Sequence, residues 1–410
     1  MLKISKFLVI IPLLAGCAAT TESRLDSVRM NYMTAPVTDS FDNDDNLDLL
    51  INADALFHNG DYAKSDATYE IFNNKNKNVT RGDLLREVST LAFGATANDY
   101  RPYMMDTLFV SYYQLWMAIA DGRWDDARVI INQSYARQQD MSREYEKLIE
   151  SNQKSLAENS EIAPQITNSQ WTAYRDIMNP ALMYLSGIYF LNMGDFDDAV
   201  TYLRRANGMV PENQFIVRDL KAAESRKCPE HTNWIFIEDG FAPKLTENRI
   251  SLPLTSGNGF TTVTVAISEP IAMSNFAKID GTDKLADVDA MFMTEYNEYK
   301  INESLRAFTS AASRVALQST MYNSKSNSAP IMGLFSTLYS EFTNNADVRT
   351  WATLPKTISV MRATKNKSGL IELRSNGNVV HRVSGPTSGN HLIYVRIGPK
   401  NYDVKIMKIK

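Results

Sequence analysis

One short pattern recurs three times in the N-terminal half of this chain, and it restricts the available folds more than any other feature. Gly60-Asp61-Tyr62, Gly122-Arg123-Trp124 and Gly194-Asp195-Phe196 each join two apolar runs of helical period. In the clearest copy, Asn179-Pro180 opens a helix carrying Met183, Gly187 and Phe190. Gly194-Asp195 makes the turn, and Phe196, Ala199, Leu203 and Ala206 follow before Pro211. Pro180 suits a first helical position behind a cap, and Pro211 cannot continue a helix. Gly187, Ala199 and Ala206 are small enough for two helices to approach closely, while Phe190, Phe196 and Leu203 fill the groove between them. Ala127, with Leu115, Ala118 and Ile131, repeats the pattern at the second copy. Ala53, Leu56, Ser65 and Tyr69 repeat it at the first.

These spacings resemble the tetratricopeptide repeat (TPR), a helix–turn–helix unit of ~34 residues. The turn glycines lie 62 and then 72 residues apart, about twice that length. Extra helices are therefore expected near 82–97 and 140–160, giving an irregular TPR-like α-solenoid over 47–227. Stacked helix pairs form a concave face that commonly holds a peptide or a partner helix. The plainer reading is a spacer. The stretch 140–160, with Arg143-Glu144-Tyr145-Glu146-Lys147, is mostly polar and reads as a solvated helix face, with a projecting docking arm as the alternative. Asp125-Asp126 and Asp197-Asp198 follow the turns, where negative charge complements a helix N-terminus.

After Cys228-Pro229 the period changes to alternation. Trp234-Ile235-Phe236-Ile237, 249–254 and 261–267 read as strands, as do 356–362, 369–374, 378–383, 391–397 and 402–409. Gly377-Asn378 and Gly398-Pro399 punctuate them. The spacing predicts a β-sandwich-like domain over 228–410. A helical insertion is expected near 284–345, where Leu305, Phe308, Ala312, Val315 and Ala316 share a helical face. The apolar run 331–343 is too short to span a bilayer and reads as cover for the sheet. The fold class is thus α+β and multidomain.

The N-terminus carries an address. Lys3 and Lys6 precede a short apolar run, Phe7 to Leu14, and then Leu14-Ala15-Gly16-Cys17. The run is too short to cross a membrane but suits a signal peptide over 1–16. Small residues before a cysteine resemble the lipobox of bacterial lipoproteins, in which the signal is cut before the cysteine and the cysteine is acylated, with palmitate among the attached chains. An ordinary secretory signal with a chance cysteine is the plainer alternative. Acyl chains on Cys17 would anchor the chain, at about 0.8 kcal/mol per buried CH₂. Ala18 lacks the Asp that retains Gram-negative lipoproteins in the inner membrane, which points to the periplasmic face of the outer membrane. Residues 17–46, ending in a run of Asp, Asn and Ser, read as the acylated cysteine and a flexible tether.

Trp234 to Leu254, with Glu238-Asp239-Gly240-Phe241-Ala242-Pro243-Lys244, resembles a segment of an uncharacterised family of bacterial TPR-bearing lipoproteins. So does Ala346 to Pro355. Asn179 to Pro211, Ala127-Arg128-Val129 and the lipobox fit the same family. The resemblance implies a lipid-anchored envelope protein with a helical first half and a β-rich second half. It carries no assigned activity. Members of that family are encoded near lipoproteins that resemble activators of penicillin-binding proteins, which is an association and not a mechanism.

The residues themselves offer little catalytic chemistry. His58, His231, His381 and His391 show no metal-ligand spacing, and no nucleophile elbow or phosphate loop occurs. Ser151-Asn152-Gln153-Lys154, Ser256-Gly257-Asn258 and Lys367-Ser368-Gly369 follow the order of penicillin-binding-protein motifs, but Ser151 lies on a polar helix without the surroundings that lower a lysine pKa. Cys228 is alone after processing and reads as an inert thiol; with His231 it supplies only two ligands, too few for zinc. Asp347, Arg349 and Trp351 would share one face of a strand and form either a structural clamp or a recognition surface. A chain of 410 residues with 44% hydrophobic residues and a net charge of −4 is globular and a poor match for nucleic acid. The expectation is an outer-membrane-anchored periplasmic lipoprotein, without cofactor, metal or enzymatic activity, that acts as a protein-interaction scaffold. Its partners would be periplasmic or envelope proteins, with the membrane reached through the lipid alone. A regulator or binder of peptidoglycan synthesis is the alternative, and a cryptic hydrolase a third reading.

Overall fold

A computed structural model describes residues 16–33, 45–77, 100–160, 163–167, 173–174, 177–256, 259–302, 304–305, 346–363, 369–386 and 388–409. The fold is α+β. The helices are α1 (Gly16–Asn31), α2 (Asn46–His58), α3 (Tyr62–Lys75), α4 (Met104–Ala120), α5 (Trp124–Glu158), α6 (Pro180–Met193), α7 (Phe196–Met209) and α8 (Gln214–Glu224), with α9 over 288–302. The strands are β1 (Asn233–Asp239), β2 (Lys244–Ser256), β3 (Gly259–Ile271), β4 (Asp283–Asp287), β5 (Thr357–Ala363), β6 (Leu370–Ser375), β7 (Asn378–Ser384), β8 (Asn390–Ile397) and β9 (Tyr402–Ile409).

The three expected hairpins are α2–α3, α4–α5 and α6–α7, and their turns are alike in detail. Gly60, Gly122 and Gly194 all adopt positive φ, near 79°, 67° and 78°. In each turn the amide after the glycine donates to a carbonyl five residues back: Asp61 to Leu56, Arg123 to Ala118 and Asp195 to Phe190, at 2.8–3.0 Å. This is the closure that satisfies the last carbonyls of a helix, and it requires a left-handed residue that glycine supplies without strain. The carbonyl of the same middle residue then accepts the first bond of the next helix, from Ser65, Ala127 and Ala199.

Each hairpin has an inner and an outer member. The inner helices α2, α4 and α6 are buried on nearly every side. The outer helices α3, α5 and α7 bury one stripe each, such as Ala199, Tyr202, Leu203 and Ala206 on α7. Close approach is tightest at Gly187, where an added Cβ would meet Leu203 side-chain atoms at 2.6 and 2.7 Å. Ala127, Phe190, Ala199 and Ala206 are wholly buried, Tyr62, Trp124 and Phe196 half-buried, and Pro211 stands exposed just past α7.

The main sheet has the order β4-β5-β1-β8-β9. β1 lies at its centre, antiparallel to β5 and parallel to β8. Every residue of β1 is buried, which requires cover on both faces. Strand alternation divides the two covers. Trp234 and Phe236 of β1, with Leu392 and Tyr394 of β8, face the inner helices and join their core. Ile235, Ile237, Ile393, Val395 and Ile397 point the other way and are covered by Ile371, Leu373 and Val383 of the β6–β7 hairpin. Asn376 and Gly377, both at positive φ, make that hairpin's two-residue turn. β2 and β3 pair along their full length as a separate ribbon.

Several expectations change. The boundary at 227/228 marks the switch from helix to strand but no break in packing, because one apolar core runs from Leu25 to Ile409. A sandwich would place a second sheet against the first; here helices cover one face and a two-stranded hairpin the other. The tether expected over 17–46 is helical over Gly16–Asn31, and Leu25, Arg29 and Tyr32 bury themselves against the body, because a sparse apolar stripe suffices where a partner surface exists. The separate helix expected near 140–160 is the continuation of the 35-residue α5. Its distal half is no free arm: Tyr145 donates to the Thr294 carbonyl at 2.8 Å and Asn152 to the Glu298 carbonyl at 3.0 Å, both on α9. The insertion expected near 284–345 begins as a strand, β4, before α9. The helix near 82–97, Phe308 to Ala316 and the run 331–343 lie outside the described residues, as does the side chain of Cys17.

Candidate functional site

The inner side of the helical hairpins is filled by the chain's own sheet. Trp116 of α4 meets Phe236 and Tyr394 edge-on, with ring centroids 5.2 and 5.5 Å apart. Phe57 of α2 meets Tyr394 at 5.2 Å, and Tyr184 of α6 meets Phe236 at 5.5 Å. Fully burying one such aromatic or aliphatic side chain contributes about 1.5–3 kcal/mol. The seam is therefore a core and not a groove.

A charge cluster is sealed into that seam. Glu238 on β1 and Arg396 on β8 stand abreast in the parallel pairing and both are wholly buried. Glu238 Oε2 accepts from the Tyr394 hydroxyl at 2.8 Å and from the Tyr113 hydroxyl of α4 at 3.1 Å. Arg396 Nε donates to the Tyr32 hydroxyl at 2.6 Å, just past α1, and Nη2 to the Thr353 carbonyl at 3.0 Å. Beside them, His58 at the end of α2 engages Asp403 of β9 through Nδ1 at 2.8 Å and Asp54 through Nε2 at 3.4 Å. Lys405 reaches Asp403 at 3.0 Å and the His58 carbonyl at 3.1 Å. The cluster ties α1, α2 and α4 to β1, β8 and β9.

Its electrostatics follow from burial and pairing. Burial pushes the Glu238 carboxyl up, against the pull of Arg396 and Tyr394. Burial also works against the charge of Arg396, but Tyr32 and Glu238 outweigh it and raise the guanidinium pKa. For His58, burial lowers the pKa and the two carboxylates more than offset it, so the net shift is upward. Asp403 is lowered, burial being outweighed by His58 and Lys405. Both ring nitrogens face carboxylates and the His58 side chain is only 1% exposed, so it is sealed from solvent. What this arrangement can do is lock helices to sheet. Breaking it leaves buried charges without partners.

A second buried group does the same at the other end of the sheet. Asp219 of α8 accepts from the Tyr184 hydroxyl at 2.5 Å and from Trp234 Nε1 at 3.0 Å, and pairs with Arg362 of β5. At the N-terminus of α4, the Glu295 carboxylate of α9 accepts from the Met104 and Met105 amides at 2.8 and 3.3 Å. Burial, with Asp106 nearby, pushes Glu295 up to about 8; burial pushes Asp106 up to about 7.

The structure separates the Asp347-Arg349-Trp351 cluster. Residues 346–350 belong to no helix or strand, so strand alternation does not align them. Trp351 is buried between Tyr69 and Tyr113, at 6.1 and 6.0 Å, with Nε1 donating to Thr353 at 2.8 Å. Asp347 and Arg349 form a two-pronged surface ion pair, at 2.8 and 2.7 Å, on a shallow dip lined by Tyr100, Arg101, Tyr103 and Tyr299. Trp351 thus clamps, while the ion pair faces solvent. Cys228 is half-buried, with its thiol pushed up by burial and contacting Asn390 at 3.4 Å. Ser151 and Lys154 are exposed on α5. Among the described residues no group of His, Cys, Asp and Glu is placed to hold a metal, and no helix is long and apolar enough to cross a membrane.

Sequence reasoning missed Glu238, Arg396, Asp403, Lys405 and Asp219 as a working set. The available signal was charge inside the most apolar strands: Glu238 closes Trp234-Ile235-Phe236-Ile237, and Arg396 interrupts Leu392 to Ile397. In comparisons with known proteins, the chain matches no protein-family model, no curated protein and no solved structure.

Proposed function

We propose that this chain is a lipid-anchored envelope lipoprotein that works by holding other proteins, with its three hairpins read as an irregular TPR-like solenoid. The observation supporting the repeat reading is the turn geometry, the same closure three times at Gly60, Gly122 and Gly194. The hairpins also stack in sequence: Tyr189 of α6 donates to the Trp124 carbonyl of α5 at 2.7 Å, and Arg128 of α5 pairs with Asp195 at 2.9 Å. With the inner side filled by the sheet, the partner surface moves to the outer helices α3, α5 and α7, where Ile71 and Val129 stand exposed.

The test places photo-crosslinking residues at Ile71, Val129 and Thr201 of the acylated protein in intact envelopes. The reading expects one discrete partner band at the outer-helix positions, lost when Cys17→Ser releases the protein from the membrane fraction. Crosslinks at none of the three positions would refute the outer-helix surface. A Cys17→Ser protein that stays membrane-bound would refute the anchor.

A further inference from the structure

We propose that the surface around Met30, Ile271 and Phe276 lies against the bilayer that holds Cys17, which fixes the orientation of the body on the membrane. The proposal rests on the lipoprotein reading and adds a geometry to it.

The path from anchor to body is short and stiff. Cys17 lies at the start of α1, and Leu25 is already buried against the body. Eight residues of helix span about 12 Å, less than the ~15 Å depth of one leaflet's hydrocarbon. α1 is also fastened along its length. Arg24 pairs with Asp48 of α2, Lys244 of β2 reaches Glu22 and Asp26 at 3.2 Å, and Tyr32 bonds the buried Arg396. An acylated Cys17 could not swing the body freely, so a face beside α1 must meet the lipid surface.

The exposed apolar side chains identify that face. Met30, Ile271 and Phe276 are 45%, 44% and 42% exposed. Met30 comes from α1, and Ile271 and Phe276 from the end of β3 and the loop after it, and intermediate contacts connect them along the seam where α1 docks. Met30 is one helical turn beyond Asp26, Asp26 bonds Lys244, and Lys244 is the cross-strand partner of Ile271. Phe276 packs edge-on against Phe241 at 5.4 Å, and Phe241 against Tyr32 at 6.1 Å, two residues from Met30. Among the described residues the other exposed large apolar side chains, Ile71, Val129, Val380 and Ile406, are scattered over α3, α5, β7 and β9. Cations border the seam: Arg24, half exposed and paired with Asp48, and Lys400, which bonds Asn31 at 3.2 Å. Of the nearby acids, Glu22 and Asp26 pair with Lys244 and Asp26 also with the buried Arg29, while Glu269, two residues before Ile271, is exposed and bonds Asn248. Apolar tips edged by Arg and Lys suit a lipid interface, where apolar side chains enter the headgroup region and cations meet anionic lipid.

The experiment uses the full acylated chain with Cys228→Ser, carrying one fluorescent cysteine label at position 30, 271, 276, 71 or 129. It is reconstituted into phosphatidylethanolamine–phosphatidylglycerol vesicles with and without a nitroxide lipid. The expected result is several-fold quenching at 30, 271 and 276, with labels at 71 and 129 unchanged. All five substituted side chains are exposed, so the fold is not at stake. The mass of the purified chain is read first. An acylated chain with equal, weak quenching at all five positions overturns the orientation and leaves the anchor reading intact. A chain without acyl groups at Cys17 overturns both.

Discussion

The inner and outer helices of each hairpin derive from one repeated pattern, yet they live in different surroundings. The inner helix α4 buries every residue from Met104 to Ile119; its partner α5, twice as long, buries seven. An outer helix needs one apolar stripe, because one side is water. An inner helix lies between the outer helices and the sheet, so it is buried all round, with polar side chains such as His58 of α2 and Gln114 of α4 paired inside. Helices buried on every side leave no open face for a partner. Their composition reports that the face is covered, and here the cover is β1, β5 and β8 of the same chain.

Substitutions on the two layers should therefore differ sharply. Trp116→Ala on α4 opens a cavity against Phe236 and Tyr394, and should destabilise the protein by about 3–5 kcal/mol in denaturant unfolding. Val129→Ala on the exposed face of α5 should stay within about 0.5 kcal/mol. Similar losses at the two sites would erase the distinction between layers.

The charge cluster sharpens the comparison, since it exists only in the inner seam. Arg396→Met removes the partner of the Tyr32 hydroxyl and the Thr353 carbonyl and leaves Glu238 without its neighbouring cation. A loss of about 3 kcal/mol is expected, because one member of a buried charged group is gone. A near-neutral result would mean that the cluster does not hold the layers together.

The inner layer should also respond to pH. Glu295 and Asp106 at the start of α4 both bind their protons more tightly in the folded chain, with pKa values raised from 4.5 to about 8 and from 3.8 to about 7. The folded state thus holds more protons than the unfolded state across that window. The stability they contribute is complete below about pH 4 and is lost as pH rises through 7 and 8. His58, also raised, acts in the same direction. Thermal melting of the intact chain should fall between pH 5 and pH 8.5, and Glu295→Gln should flatten that fall. A melting temperature that rises over the same range would reverse the sign of the argument.

At the surface the effect should be smallest. Asp347→Ala breaks an ion pair open to solvent and should cost under about 1 kcal/mol, with little effect at high salt.

The parts of this molecule legible in sequence were those governed by local chemistry. Gly60, Gly122 and Gly194 announce their turns because positive φ selects glycine, and the strands from Thr357 to Ile409 alternate visibly. What escaped notice depends on contacts far along the chain. α1 has a weak apolar stripe that forms a docked helix only because Arg396, Asp48 and Lys244 await it. The layering of helix on sheet is set by residues more than a hundred positions apart, such as Tyr113 and Glu238. Asp347, Arg349 and Trp351 share a face only in a strand, and the backbone there forms none. The charge cluster was hidden because Glu238 and Arg396 read as strand-end polar residues until β1 and β8 pair in parallel.

The central claim is that helices and sheet share one core. Differential scanning calorimetry of the intact chain, followed in parallel by tryptophan fluorescence and far-ultraviolet circular dichroism, tests it most directly. Trp116, Trp234 and Trp351 report on the shared seam, while ellipticity is dominated by the helices. One cooperative transition, with all three signals coincident, is the expected result. Two resolved transitions, with helices melting apart from the sheet, would show separate domains with an interface between them and would contradict the account.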